Sequence, residues 1–246
     1  MGKIHLVMPM GGAGTRFFDN GYECPKPLLE IQGKPFFYWA TRSIEKYVEL
    51  ESLTFVVLRD HIKRFEIDLA IKKYFPNAEI VVLEQVLNGA VLTCMEGVKK
   101  LKEGIPVLFN DCDHIFKSSS FNKFCENGDF EELDGALLSF VSDKPCYSYL
   151  KKNEQGYVTE TVEKKVISDE AICGAYYFKD TRTFVRAAEE YLKKCSYKEF
   201  FVSGVYNVLA ENGGKIKGLL TDFHVPFGTP EEYEEAKDSN RFKELE

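Results

Sequence analysis

Four short apolar runs, 4–8, 53–58, 79–83 and 105–109, alternate with helical patterns near 35–48, 60–74 and 89–102. That alternation constrains the fold more than any other feature. Strand and helix in turn predict an α/β chain whose sheet is mostly parallel, with helices on both faces. Ligands on such sheets bind beyond the carboxyl ends of the strands. Two chemistry-bearing segments fall on that edge. Met10-Gly11-Gly12-Ala13-Gly14-Thr15-Arg16 follows the first run, and Asn110-Asp111-Cys112-Asp113 follows the fourth.

Glycines let a loop bring backbone N–H groups against phosphate oxygens, and Arg16 and Lys26 add positive charge. The loop is neither of the two common phosphate motifs. Phe17 stands where a dinucleotide fingerprint has its third glycine, and no Gly-Lys-Ser/Thr follows as in a P-loop.

Beyond residue 115 the pattern changes. Residues 135–141 read as a strand, 147–151 and 157–162 as a hairpin, and 172–178 as a strand before a helix over 181–194. A helix near 199–211 stops at Asn212-Gly213-Gly214, and a strand near 215–221 and a short acidic helix from Pro230 follow. With no linker or repeat, 1–246 reads as one domain with a mixed sheet.

The net charge of −7 argues against a nucleic-acid partner. No run spans a bilayer and no signal peptide opens the chain, so no membrane partner is expected. Seven scattered cysteines without a C-x-x-C pair suit a reducing compartment, and the location expected is cytoplasmic. Nothing marks a face as an interface, so a homo-oligomer is left open.

Further motifs turn the loop into a pattern. Gly11-Gly12-Ala13-Gly14-Thr15-Arg16 with Pro25-Lys26-Pro27-Leu28, Glu84-Gln85 with Gly89-Ala90, Asp113-His114-Ile115-Phe116, Val162-Glu163-Lys164, Gly174-Ala175-Tyr176 and Gly228-Thr229-Pro230 stand in one order along nearly the whole chain. The ordered set resembles the sugar-phosphate nucleotidyltransferases, and its style resembles a short-chain branch found in capsule and surface-polysaccharide pathways. The resemblance implies a Rossmann-like, GT-A-type fold, with a nucleotide-binding half over about 1–115 and an acceptor-binding half over about 116–246. It implies two small-molecule substrates, a nucleoside triphosphate and a phosphorylated acceptor such as a sugar 1-phosphate, with pyrophosphate released and Mg²⁺ as cofactor.

Residue by residue, the resemblance gives Arg16 and Lys26 the catalytic charge and gives Met10, Gly11, Gly12, Ala13, Gly14 and Thr15 the triphosphate. It gives Gln85, Gly89 and Ala90 the base, Glu163, Lys164 and Gly174 the acceptor, and Asp113 the metal. Asp111 is a ribose contact, a support for the metal ligand, or a cap of the following turn. Many relatives carry a second metal-binding aspartate where Pro226 stands here. Asp222 is placed ahead of His224 for that role because Mg²⁺ prefers oxygen.

Gln85 both donates and accepts, which suits a pyrimidine edge, and the branch puts CTP before UTP and dTTP. A cytidylyltransferase acting on a phosphoglutamine- or phosphocholine-type acceptor is the alternative within the class. A GT-A glycosyltransferase and a non-catalytic nucleotide-binding subunit are the alternatives outside it. His5 and His61 read as ordinary strand and helix positions. Phe36, Phe37, Tyr38 and Trp39 read as core, and Tyr147, Tyr149 and Tyr176 as packing or pocket wall.

Overall fold

The computed structural model describes residues 2–128 and 130–246. Chain order begins with β1 (Ile4–Met10), α1 (Thr15–Phe18), the small ribbon β2 (Glu30–Ile31) and β3 (Lys34–Pro35), and α2 (Phe36–Glu45). Next come β4 (Leu50–Leu58), α3 (Arg59–Phe65), α4 (Ile67–Tyr74), β5 (Glu79–Leu83), α5 (Ala90–Val98) and β6 (Val107–Asn110). The second half holds β7 (His114–Lys117), α6 (Ser119–Asn127), β8 (Gly135–Val141), β9 (Ser148–Lys152), β10 (Val158–Glu163) and β11 (Glu170–Phe178). It closes with α7 (Thr181–Lys194), α8 (Val202–Glu211), β12 (Ile216–Leu220), β13 (Phe223–Pro226) and α9 (Pro230–Lys237).

β1 lies between β4 and β6, parallel to both, and β5 extends the parallel part beyond β4. β11 then pairs antiparallel with β6, joining the strands of the second half to the same sheet. This is the mixed, mostly parallel sheet expected from the alternation. Side chains of β1 alternate between its two faces. Leu6, Met8 and Met10 enter a core with Phe37, Ala40 and Ile44 of α2, while Val7 enters the other with Val91, Cys94 and Val98 of α5. Gly97 permits that second contact. A Cβ there would stand 2.7 Å from Val7 Cγ1 and 2.9 Å from Val56 Cγ2.

Several expected boundaries move. The helix expected over 60–74 is two helices, because Glu66 takes a left-handed φ of 52° between α3 and α4. The break lets α4 turn Ile67 and Ile71 into the core. The fourth strand begins after Pro106, which has no N–H for a ladder bond. The ribbon of β7 with β13, the ribbon of β2 with β3, and helix α6 are additions to the sequence reading. α6 carries ordinary end signals: the Ser118 side chain accepts from the Phe121 N–H, and Gly128 closes it at φ 74°.

The C-terminal segment packs back on the start of the chain. Phe17, at the position of the missing glycine, meets Tyr22, Phe36 and Tyr233 edge to face with ring centroids 5.2–6.2 Å apart. Phe17 is therefore the apolar anchor of the glycine loop. Among the described residues, no helix is long and apolar enough to cross a membrane.

One glycine outside the sheet carries a sharp steric demand. Gly89 has φ 98°, and a Cβ on it would lie 2.4 Å from Phe200 N and 2.6 Å from Phe200 O. Those are backbone atoms, tied to this segment by Val91 N–H donating to Phe200 O (3.1 Å). Gly89→Ala is expected to destabilise the fold by about 2–3 kcal/mol, read as a lower denaturant midpoint with an unchanged slope.

Candidate active site

The glycine loop leaves β1 with its first glycine buried. A Cβ on Gly11 would reach 2.6 Å from Leu83 Cδ1, so that glycine serves packing under β5. Gly12 has open space around it, and Gly14 takes a left-handed φ of 67° that turns the chain into α1. Thr15 and Arg16 are exposed on that short helix. Pro25 and Pro27 are buried on either side of Lys26, which opens a 3-10 turn over Lys26–Leu28. The prolines fix the backbone, and Lys26 reaches across the cleft. Its Nζ lies 2.6 Å from Asp113 Oδ2.

Asp111 and Asp113 project from the segment joining β6 to β7. Asp111 N–H donates to Gly174 O at 2.9 Å, where β11 shifts register between Ile172 and Tyr176. Gly174 sits at φ 92°, and a Cβ there would come 2.7 Å from Asp111 Oδ2. Gly228 plays the same part for the second acid. A Cβ on it would come 2.6 Å from Asp113 Oδ2, and Phe227 N–H donates to Asp113 O at 2.8 Å. The glycine of Gly-Thr-Pro is thus needed because a carboxylate rests against it.

The charges divide the two aspartates. Burial pushes the Asp113 carboxyl up, but the charge and hydrogen bond of Lys26, aided by His114 and Arg16, more than offset this and hold it at about 2. Burial and then the Asp113 charge push Asp111 up to about 7, against the pull of Lys26. Burial would lower Lys26, yet Asp113 raises it overall.

A pH effect follows for the protein without a bound cation. The folded Asp111 keeps a proton that the unfolded chain releases near pH ~4. A stability deficit therefore builds as pH rises from there to about 7, and it is complete above. Asp111→Asn removes it. That variant is expected to melt on the order of 10 °C above wild type at pH 8, with the gap closing toward pH ~4.

Two cavities meet over this pair. One, of about 600 Å³, is lined by Met10, Gly12, Gly14, Thr15, Arg16, Lys26 and Lys164 together with both aspartates. The other, of about 270 Å³, is lined by Tyr147, Ser148, Glu163, Gly174, Tyr176, His224 and Glu232. Arg16, Asp111 and Asp113 line both. In the smaller cavity Ser148 Oγ donates to Glu163 Oε1 at 2.6 Å, and Ser203 Oγ donates to the same oxygen. Lys164 has φ 55°, and its Nζ lies 5.6 Å from the centroid of the Phe201 ring.

A further hollow of about 260 Å³ beside the loop holds Gln85 with Ala13, Phe18, His61 and Glu84. Gly89 and Ala90 are not part of it. Gly89 abuts Phe200, and Ala90 lines the smaller cavity with Glu163, so the expected grouping with Gln85 does not form. Asp222 also departs from its expected place. It is exposed, and its Oδ2 accepts from Ser119 N–H (3.1 Å) and Ser119 Oγ (2.5 Å), capping α6 at the far end of the β7–β13 ribbon. It lines neither cavity.

His224 does reach the site. Asn110 Nδ2 donates to Ala40 O, which leaves Asn110 Oδ1 to accept from His114 Nε2 at 3.1 Å. Burial lowers His114 to about 4, so its Nδ1 is a lone pair that accepts from His224 Nε2 at 3.2 Å. His224 Nδ1 is then a second lone pair, buried and without a donor among the described residues. Glu232 was absent from the sequence reading. Its Oε1 accepts from Tyr147 Oη (2.6 Å), and its Oε2 accepts from the N–H groups of Gly228 (3.0 Å) and Thr229 (3.2 Å). The capping box Thr229-x-x-Glu232 could have pointed to it.

The sequence pattern of the nucleotidyl transferase family matches residues 6–240. The chain belongs to that family. It is 25% identical over 242 residues to D-glycero-alpha-D-manno-heptose 1-phosphate guanylyltransferase of Campylobacter jejuni, covering 94% of this chain and 97% of that one. It is 26% identical over 162 residues to 2-C-methyl-D-erythritol 4-phosphate cytidylyltransferase of Clostridium perfringens, covering 65% of this chain and 67% of the relative. The fold resembles the nucleoside-diphosphate-sugar pyrophosphorylase of Vibrio cholerae RC9, with a TM-score of 0.83 at 24% identity over 95% of this chain and all of that one. The inositol-1-phosphate CTP transferase of T. maritima also superposes, with a TM-score of 0.73 at 17% identity over 99% and 94% of the two chains. The nucleotidyltransferase is thus an enzyme of known reaction type, and the named relatives differ in the nucleotide they use.

Proposed function

We propose that this enzyme transfers a nucleotidyl group, cytidylyl first among the pyrimidines, from a nucleoside triphosphate to a small phosphorylated acceptor such as a sugar phosphate. Pyrophosphate leaves, and capsule or surface-polysaccharide synthesis is the setting inferred. The observation that carries the reading is the meeting of the two cavities over Arg16, Asp111 and Asp113, with Lys26 on the same spot. A reaction that joins two phosphates needs such a junction.

The residues suit each step. An acceptor phosphate oxygen attacks the α-phosphorus, a new P–O bond forms, and the bond to the β-phosphate oxygen breaks with its electron pair leaving on pyrophosphate. Backbone N–H groups of Gly12 to Thr15 and the Arg16 guanidinium would hold the triphosphate. Lys26 would leave Asp113 for the α-phosphate, where a pre-placed donor is worth ~3 kcal/mol of barrier. Lys164, which lines the nucleotide side, would hold the acceptor's phosphate, and Glu163 its body. Gln85 would face the base.

The donor set fits Mg²⁺. Two carboxylates face one junction, a lysine ammonium already sits 2.6 Å from one of them, and the other is pushed up by burial and by the charge of the first. Among the described residues no cluster of three or more His, Cys, Asp or Glu is arranged to hold a metal. An ion that takes few protein ligands and completes its shell with phosphate oxygens and water suits that arrangement. Asp111 and Asp113 would hold it, and its charge would stabilise the leaving pyrophosphate. The test is a matrix of CTP, UTP, dTTP, GTP and ATP against sugar 1-phosphates, phosphocholine and phosphoglutamine, scored by pyrophosphate. Release above background with CTP and one acceptor supports the reading, and silence across the matrix rejects it.

A further inference from the structure

A histidine outside both cavities carries a polar atom that the fold leaves unpaired. His61 stands on α3, which begins at the carboxyl end of β4, on the ligand-facing edge of the sheet. It is 3% exposed and lines the hollow of about 260 Å³ with Ala13 and Gln85. Its Nδ1 is buried and has no hydrogen-bond partner among the described residues. A buried polar atom without a partner costs stability.

Burial lowers the His61 pKa from the ordinary histidine value, so near neutral pH the ring has one N–H and one lone pair. An orphaned N–H is the rarer of the two in protein interiors, which assigns the lone pair to Nδ1 and the proton to Nε2. With Nδ1 enclosed, the Nε2–H is what the ring has left for a ligand in the hollow. The charged groups of the hollow are already paired. Asp60 meets Arg64 at 3.2 Å, and Glu84 meets Arg59 at 2.6 Å. Phe18, Leu58, Phe65 and Val86 supply apolar wall, as a flat ring would need.

The glycine loop stands between this hollow and the phosphates. Gly12 and Gly14 line the larger cavity, and Ala13 between them lines the hollow. A nucleotide with its phosphates in the larger cavity can place its base across the loop. We propose that His61 is a base-reading residue, its Nε2–H donating to a carbonyl oxygen or ring nitrogen of the base. The proposal rests on the nucleotidyl-transfer reading and adds to it a residue outside the ordered motifs. Because the hydrogen bond belongs to the base alone, it contributes to nucleotide affinity and nothing to phosphate affinity.

Calorimetric titration with Mg²⁺ and either inorganic tripolyphosphate or the methylene analogues of CTP, UTP, dTTP and GTP separates base from phosphate. His61→Phe should weaken the best-bound nucleotide by about three- to tenfold, the worth of one hydrogen bond, and leave tripolyphosphate within about twofold of wild type. His61→Gln, which keeps an N–H, should recover part of the loss. Retained tripolyphosphate binding shows that a variant is folded. In ¹⁵N-histidine spectra of the free enzyme, the signals lost in His61→Phe should report a protonated Nε2 and a bare Nδ1. A proton on Nδ1, equal losses for nucleotide and tripolyphosphate, or unchanged nucleotide affinity in His61→Phe overturns the proposal. A wild-type enzyme that binds neither tripolyphosphate nor any of the nucleotides is a different result and rejects the transfer reading itself.

Discussion

Lys26→Ala lowers kcat by about 10²–10³-fold, with smaller change in the KM for nucleotide. Lys26 is placed for this by two buried prolines and by its 2.6 Å contact with Asp113, so it needs little rearrangement to reach a phosphate at the junction. Its ammonium would gain most when charge moves toward the leaving pyrophosphate, and an effect confined to the transition state appears in kcat. Circular dichroism should show the fold retained, because the side chain is not part of either hydrophobic core. Arginine should rescue only part of the loss, since its planar fork does not replace a compact ammonium. A drop below fivefold would remove Lys26 from the chemistry.

Asp113→Asn should cost about 10³-fold in kcat/KM at low Mg²⁺, with part of the loss recovered at high Mg²⁺. The substitution removes the charge that holds Lys26 and one of two carboxylates facing the cation site. It also relieves Asp111, whose raised position owes its second-largest cause to the Asp113 charge. The Mg²⁺ dependence separates this variant from Lys26→Ala, which should keep the wild-type metal requirement. An Asp113→Asn enzyme with normal turnover and normal metal dependence would contradict the role given to this aspartate.

Much of this arrangement was legible in the residues. The alternation of apolar runs and helical patterns gave the parallel strands, because burial on both faces leaves continuous hydrophobic stretches such as Leu53–Leu58. The glycine loop and the Asp111–Asp113 pair fell on the ligand-facing edge because strand ends in such a sheet share one edge. The β7–β13 ribbon was hidden because its strands are four residues each and pair across more than a hundred residues of chain. Period and length say little about so short a strand. That ribbon also sets Asp222 and His224 in different places. It puts the histidine opposite Phe116 in the cavity and the aspartate at the far end on Ser119, a matter of register that oxygen preference does not reach. Likewise the resemblance gives Gly89 to the base together with Gln85, whereas its neighbour in space is the Phe200 backbone. Gly174 and Gly228 share one explanation in the structure, the need to admit the two carboxylates without a Cβ.

The fate of labelled phosphorus tests the central claim most directly. CTP labelled at the α-phosphate, or at the γ-phosphate, is incubated with Mg²⁺, enzyme and the acceptor giving the strongest signal in the nucleotide matrix. The account predicts that the α label appears in a product joined to the acceptor, and that the γ label appears in pyrophosphate in equal amount. Label from the γ position in orthophosphate or on the acceptor, or α label in free CMP without an acceptor product, would contradict it.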